Sequence, residues 1–287
     1  MEFPFDRSDG WYYASDLGEG IWRISDCGSD NIYLVIGDDR GLVFDTGHGA
    51  GDLPGFLGGL TGKPLAVAMS HCHGDHAGGN DFFDTVYGGL GDIEGLHRDG
   101  IEEKREAVRN SRRFPDGYVL PRETPVPKGS GRMPSDLHGC PGRRETIPMG
   151  DGYALDLGNR VVRFLTTPGH TPGSLCLLDE RTGTLFTGDT YVPHEYWGPM
   201  WLHISHSTKL SVYLDSLRKM AASGAVRMLS GHGEHGFIDA AALTPYIVLI
   251  GDIIAGRKRG EPLETFIGEG LFIGCGDSSI VYSEDKL

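Results

Sequence analysis

The sequence predicts a layered α/β domain, because segments with the pattern of strands alternate with segments that have the pattern of helices. The strand-like segments are short runs rich in Val, Ile, Leu and aromatic residues, separated by Gly and Asp turns. The helix-like segments repeat apolar residues on one face, as Leu210, Leu214 and Leu217 do. Strands alternating with helices that cover them are typical of layered α/β domains.

The predicted elements run along the chain in this order. Strands are predicted at 20–25, 31–36, 41–44, 65–69, 160–166, 174–179, 184–187 and 226–230, with a hairpin turn at 180–183. Helices are predicted at 208–223 and 246–256, and Thr244 followed by Pro245 marks the start of the second. Weaker helical patterns occur around Asp81 and at 98–110, and the tail at 271–282 predicts short strands.

The length and composition predict one domain spanning residues 1–287. A chain of 287 residues with 39% hydrophobic content can bury a large core. Two departures are expected within it: an irregular insertion at about 98–150 and a C-terminal helix and strand appendage at about 240–287. Seven prolines between positions 114 and 148 interrupt every periodic pattern there. Such a segment is either an ordered functional loop or a disordered surface excursion.

The charge of the chain limits its partners. The net charge of −14 would repel phosphate backbones, which argues against nucleic acid as a partner. Residues 98–144 differ, with 11 Lys/Arg against 7 Asp/Glu. Their arginines either steer an anionic substrate or belong to a solvated loop. The ones concerned are Arg112, Arg113, Arg143 and Arg144.

The sequence predicts neither a secretory signal nor a membrane-spanning segment, so a cytoplasmic location is expected. Residues 1–10 lack the apolar run of a secretory signal. The most apolar stretch, 246–255, is too short for a bilayer and contains Asp252, so no membrane association is expected. The five cysteines are scattered and form no Cys-x-x-Cys pair, which favours a reducing cytoplasm over a disulfide framework.

The densest cluster of functional residue types follows the apolar strand at 65–69. His71, His73, Asp75 and His76 place four candidate metal ligands within six residues. Residues 71 and 73 share a side of an extended strand end, since side chains alternate there. Gly74 lets the backbone turn closely around an ion. The cluster therefore predicts a metal site.

Three later residues have the same context as this cluster. His170, Asp189 and His232 each lie just beyond a predicted strand and beside a glycine. A single histidine or aspartate in such a place is commonly a surface or turn residue. Three of them at matching strand ends, together with the cluster, predict ligands that a sheet directs to one edge.

These residues resemble the ordered motifs of the metallo-β-lactamase fold superfamily, over roughly residues 20–235. The resemblance implies an αββα four-layer sandwich with metals at one edge of its two sheets. In chain order, the matching positions are Asp45, His71, His73, Asp75, His76, His170, Asp189 and His232.

The resemblance also implies a role for each residue. One metal ion would take His71, His73 and His170, and a second would take Asp75, His76 and His232. Asp189 would bridge the two. Asp45 would support the ligand loop by hydrogen bonding rather than bind metal; a simple turn residue is the alternative. A set of nitrogen and oxygen ligands suits Zn²⁺, and Fe or Mn would also fit.

Two metal ions that share a water can lower its pKa from about 15.7 toward about 7. We therefore expect a hydrolase whose metal-bridging hydroxide attacks a small-molecule carboxylic ester, thioester, lactone or amide. Asp75 is the candidate catalytic residue, because it would ligate metal and accept a hydrogen bond from the nucleophile. The carboxylate at Asp189 resembles glyoxalase II-like thioesterases, lactonases and phosphodiesterases more than true β-lactamases.

Three alternatives remain open at this point. A phosphodiesterase acting on a small phosphodiester would use the same ligands. An iron-dependent sulfur dioxygenase is disfavoured because the flavodiiron redox branch of the family carries an acidic residue where this chain has His73. A binding scaffold without catalysis is disfavoured by the complete ligand set.

Two further features near the cluster have open interpretations. Cys72 is expected to be buried and inert, since alternation directs it away from the histidines. Aromatic and histidine residues after Asp189 either line an apolar pocket, pack into the core or form the contact of a homodimer. They are Tyr191, His194, Tyr196, Trp197 and Trp201.

Overall fold

The computed structural model describes residues 5–26, 28, 30–96, 145–193, 202–203, 208–233, 236–265, 268–275 and 278–287. The chain divides into two units. In the first unit, the described residues are 5–88, 93–96, 145–148 and 156–160, with the gaps given above. In the second unit, they are 89–92, 149–155 and 161–287, with the same gaps. The prediction of a single domain stays a prediction.

An eight-stranded sheet forms the frame of the first unit, with its strands in chain order. Neighbouring strands are antiparallel from β1 to β5, and the pairs β5–β6 and β6–β7 are parallel. The strands are β1 Arg7–Ser8, β2 Tyr12–Asp16, β3 Ile21–Asp26, β4 Asp30–Ile36, β5 Gly41–Phe44, β6 Leu65–Ala68, β7 Thr85–Gly89 and β8 Glu145–Met149.

Among the described residues, two helices and two 3₁₀ segments accompany this sheet. The helices are α1 Leu53–Leu60 and α2 Gly74–Ala77, and the 3₁₀ segments are Asn80–Phe82 and Leu90–Leu96. Asp52 caps α1 by accepting a hydrogen bond from the Gly55 amide at 2.9 Å. The core joins α1 to the sheet through Leu57, Val43 and Val67, which are buried in one apolar cluster.

The second unit contains two sheets. The six-stranded sheet has the order β15-β14-β12-β11-β10-β9, and the four-stranded sheet has the order β13-β18-β17-β16. The strands are β9 Ala154–Asp156, β10 Val161–Thr166, β11 Leu175–Asp179, β12 Thr184–Gly188, β13 Leu202–His203, β14 Arg227–Ser230, β15 Ile238–Asp239, β16 Glu261–Thr265, β17 Gly268–Cys275 and β18 Ser278–Tyr282.

Helices α3 Leu210–Ala222 and α4 Leu243–Ile254 belong to this second unit, together with 3₁₀ segments Ala240–Ala242 and Glu284–Lys286. Their apolar faces pack into one buried cluster that includes Leu217, Tyr246 and Ile280. The α/β class predicted from the sequence is therefore confirmed. No helix within the described part of the chain is long and apolar enough to cross a bilayer.

The expected strands and the hairpin at 180–183 are present, and α4 begins two residues before Pro245. The insertion needs a correction, because Glu145–Met149 is a strand and not irregular. Pro148 is tolerated there since β8 is an edge strand. Residues 97–144, with Arg112, Arg113, Arg143 and Arg144, lie outside the described residues.

Candidate metal centre

The histidine cluster lies between the end of β6 and helix α2. Asp75 and His76 are on α2, so the chain enters a short helix where a turn was expected. His71 and His76 are buried, and His73 is exposed. The ring centroid of His71 is 4.6 Å from that of His73 and 4.3 Å from that of His76. Three imidazoles are thus held together within the first unit.

Asp45 follows β5, which is the parallel neighbour of β6, so both strands end at the same edge. Its backbone is in the left-handed region, with φ 69°. One carboxylate oxygen accepts a hydrogen bond from the Ser70 amide at 2.6 Å. The other accepts from the Ser70 hydroxyl at 2.8 Å and lies 2.9 Å from His76 Nδ1. This is the arrangement that a supporting role for Asp45 requires.

These hydrogen bonds determine which imidazole nitrogens carry protons. The Ser70 hydroxyl has one proton and donates it to Asp45, so it accepts from His71 Nδ1 at 2.9 Å. His76 Nδ1 likewise donates to the Asp45 carboxylate. In both histidines Nε2 is therefore the unprotonated nitrogen, which is the form of imidazole that binds a metal ion.

Glycines bring the Asp45 loop and the α2 segment into close backbone contact. The Thr46 amide donates to the His76 carbonyl at 2.7 Å, and Gly47 pairs with Ala77. A methyl group at Gly78 would collide with the carbonyl group of His48. The support for the candidate ligand histidines is thus fixed by backbone as well as side-chain contacts.

A second set of candidate ligands lies in the second unit, beyond strands that point the same way. Asp189 follows β12 and His232 follows β14, and these two strands are parallel. His170 follows β10, which runs in the same direction as β12 because both strands are antiparallel to β11. Asp189 Oδ2 lies 3.2 Å from His232 Nε2 and 3.6 Å from His170 Nε2. One carboxylate oxygen thus faces two imidazole nitrogens.

A buried group that the sequence did not indicate lies beside the Asp45 loop. His48 Nδ1 is 3.1 Å from Asp30 Oδ1 and 3.5 Å from Asp26 Oδ2. Asp26 also accepts hydrogen bonds from the Trp11 indole at 2.6 Å and the His48 amide at 2.8 Å. Burial alone would lower the pKa of His48, but hydrogen bonds and charge from Asp26 and Asp30 raise it to about 10. His48 is therefore an imidazolium between Asp26 and Asp30, while burial and the charge of Asp26 raise the pKa of Asp30 to about 7.

Replacing His48 by glutamine should destabilise the protein by about 3 kcal/mol at pH 7, because the buried side chains of Asp26 and Asp30 lose their cation. A histidine whose pKa is raised in the folded state contributes its full stabilisation of the fold at pH values below its unfolded pKa of about 6.5. That contribution disappears as the pH rises through about 10. Urea unfolding of both proteins with a chelator present, between pH 6.5 and 10, measures the difference. If the difference in unfolding free energy between the two proteins does not become smaller as the pH rises, His48 is not an imidazolium.

Some residues singled out in the sequence lie elsewhere. Tyr191 is 2% exposed and packs on Tyr246 in the core, so it does not line a pocket. Cys72 is half-buried, not buried, because it lies at the edge of the first unit's apolar cluster. His194, Tyr196, Trp197 and Trp201 lie outside the described residues.

Comparison with known proteins agrees with this fold. The family model of the metallo-beta-lactamase superfamily matches residues 25–232, which is more than half of the chain. The chain belongs to the metallo-beta-lactamase superfamily. The expected enzyme class, a hydrolase, is thereby confirmed together with the family.

Characterised relatives and a solved structure extend this comparison. The chain is 31% identical over 240 residues to the acyl-coenzyme A thioesterase MBLAC2 of Gallus gallus, covering 77% of this chain and 80% of that protein. It is 30% identical to the Homo sapiens MBLAC2, covering 77% and 81%. A metallo-beta-lactamase from Pontibacter korlensis has the same fold, with a TM-score of 0.55, 13% identity, and coverage of 84% and 99%.

Proposed function

We propose that the protein is a dinuclear metal-dependent thioesterase that hydrolyses a small acyl thioester, of which acyl-coenzyme A is the first candidate. The observation that carries this proposal is the Asp189 carboxylate facing the Nε2 atoms of His170 and His232. The similarity to two acyl-coenzyme A thioesterases supports the thioester as the bond attacked. It also favours this reaction over phosphodiester hydrolysis and sulfur oxidation.

We propose one cation on His71, His73 and His170, a second on Asp75, His76 and His232, and Asp189 common to both. The fit rests on the fixed Nδ1 protons of His71 and His76, which leave Nε2 lone pairs. Imidazole and carboxylate donors favour Zn²⁺, with Fe or Mn as alternatives.

Two bound divalent cations would supply hydroxide near neutral pH and polarise the thioester carbonyl. The chain's own residues would orient the reaction. Asp45 holds His71 in one tautomer through the Ser70 hydroxyl, and it holds His76 through a direct hydrogen bond to Nδ1. Asp75 Oδ2 lies 3.7 Å from His76 Nε2, and its partly exposed carboxylate would accept a hydrogen bond from the nucleophile.

Chelation and reconstitution test the proposal directly. Purified protein should contain about two metal ions per chain and release free thiol from acyl-coenzyme A. Prolonged chelation should lower that rate by at least about 100-fold, because hydroxide is not available near neutral pH without the metal. Added Zn²⁺, Mn²⁺ or Fe²⁺ should restore it.

The substrate panel for this experiment includes a p-nitrophenyl ester and bis(p-nitrophenyl) phosphate. Faster turnover of the phosphodiester than of the thioester would overturn the proposed substrate class. Thioester hydrolysis unaffected by metal removal would overturn the metal mechanism.

A further inference from the structure

Helix α3 presents three hydrogen-bond donors along one face, at positions 213, 216 and 219. The Tyr213 hydroxyl donates to the Thr190 carbonyl at 2.7 Å. The Ser216 hydroxyl donates to the Pro168 carbonyl at 2.7 Å. Lys219 Nζ donates to the Thr166 carbonyl at 2.8 Å. Each acceptor is a backbone carbonyl outside the helix.

These carbonyls belong to the two segments that carry His170 and Asp189. Thr166 and Pro168 precede His170 by four and two residues, and Thr190 directly follows Asp189. The helix therefore fixes the backbone just before His170 and just after Asp189.

Tyr213 contacts both segments at once. Its hydroxyl holds Thr190, and its ring packs so closely on Gly169 that a methyl group there would collide with it. The two segments are also joined by their own side chains, since the hydroxyls of Thr167 and Thr190 lie 3.2 Å apart. Tyr213 is fully buried, and burial raises its pKa well above 10, so it is a neutral donor at any working pH.

We infer that Tyr213 is a positioning residue for the metal ligands His170 and Asp189, acting through the Thr190 carbonyl and the Gly169 backbone. This inference rests on the proposed function, because it concerns the affinity of those ligands for a cation. Groups that hydrogen-bond a metal ligand directly typically contribute about 10–100-fold to metal affinity, and Tyr213 acts one step further away, through the adjoining backbone. The hydroxyl fixes the Asp189 segment, and the ring fixes the turn before His170.

The test is the metal affinity of the Tyr213→Phe enzyme, measured by competition of the Zn²⁺-loaded protein with a chromophoric chelator. This variant keeps the ring and removes only the hydroxyl. We expect Zn²⁺ to bind about 10-fold more weakly than to the wild type, at the lower end of the effect of a direct ligand partner. At saturating Zn²⁺ the substitution should lower kcat with little change in KM, because the contacts with the substrate are unchanged.

Tyr282→Phe is the matched control. Tyr282 is also a buried tyrosine of the second unit, and its hydroxyl accepts a hydrogen bond from the Gly260 amide at 3.0 Å, in a part of the unit without candidate ligands. It should lose thermal stability but keep the wild-type affinity for Zn²⁺. Equal weakening in both variants would show a general stability effect and overturn the inference.

The remaining outcomes separate this inference from the proposed function. Wild-type protein that binds no Zn²⁺ would overturn the proposed function itself. Wild-type protein that binds Zn²⁺ while Tyr213→Phe binds it equally well would overturn only the role of Tyr213. If Tyr213→Phe does not fold, Ser216→Ala takes its place, and wild-type Zn²⁺ affinity in that variant would overturn the positioning role of α3.

Discussion

Replacing Asp189 by asparagine is expected to lower thioester hydrolysis at saturating metal by about 1,000-fold, which corresponds to about 4 kcal/mol of transition-state stabilisation. The Asp189 carboxylate faces two imidazoles through a single oxygen, so its charge is concentrated where cations are proposed to bind. An amide keeps the volume but removes the negative charge. Steady-state rates at increasing Zn²⁺ measure the effect, and added metal should not restore the rate.

Asp179→Asn provides the comparison for this variant. Asp179 is fully buried in the same six-stranded sheet, but its carboxylate accepts hydrogen bonds from Thr182 and Arg181 in the hairpin turn. Its substitution should lower the melting temperature with nearly unchanged turnover. If Asp189→Asn retained more than a tenth of the wild-type rate, Asp189 would not have the shared-ligand role.

Replacing Asp45 by asparagine is expected to weaken Zn²⁺ binding by about 10–100-fold. The carboxylate accepts three hydrogen bonds, from the Ser70 amide, the Ser70 hydroxyl and His76 Nδ1. In either orientation the asparagine amide group would oppose one of those donors. Asparagine tolerates the left-handed backbone at this position, so the change isolates the hydrogen bonds.

The response to added metal distinguishes Asp45 from Asp189. Because Asp45 acts on the ligands and does not contact the reacting atoms, the Asp45→Asn enzyme should recover most of its rate at high Zn²⁺. Asp52→Asn is the control, since Asp52 caps α1 and asparagine caps helices equally well. Wild-type Zn²⁺ affinity in the Asp45→Asn protein would show that Asp45 is only a turn residue.

The candidate ligands could be predicted from the sequence because their pattern is local. His71, His73, Asp75 and His76 are neighbours in the chain, and Asp189 and His232 each follow a recognisable strand. Asp45, which supports two of them, could be predicted in the same way, but Tyr213 and the buried His48 could not. Tyr213 and His48 act through partners distant in sequence, and neither has a motif that marks it.

Fold elements were missed where local preference disagrees with the fold. Helix α1 contains Gly55, Gly58 and Gly59, which weaken helix propensity, and it forms because Asp52 caps it and Leu53 and Leu57 are buried. Strand β2 was not predicted since its residues alternate only weakly. Its position is fixed by pairing with β3, in which Ala14 faces Ile24.

The close approach of Gly78 to His48 has a consequence for protein engineering. A library that changes substrate choice would naturally randomise the residues around the histidine cluster. Any side chain at position 78 would push apart the two backbones that hold His76 and Asp45 in register. Variants at that position should therefore be lost from selections for any substrate.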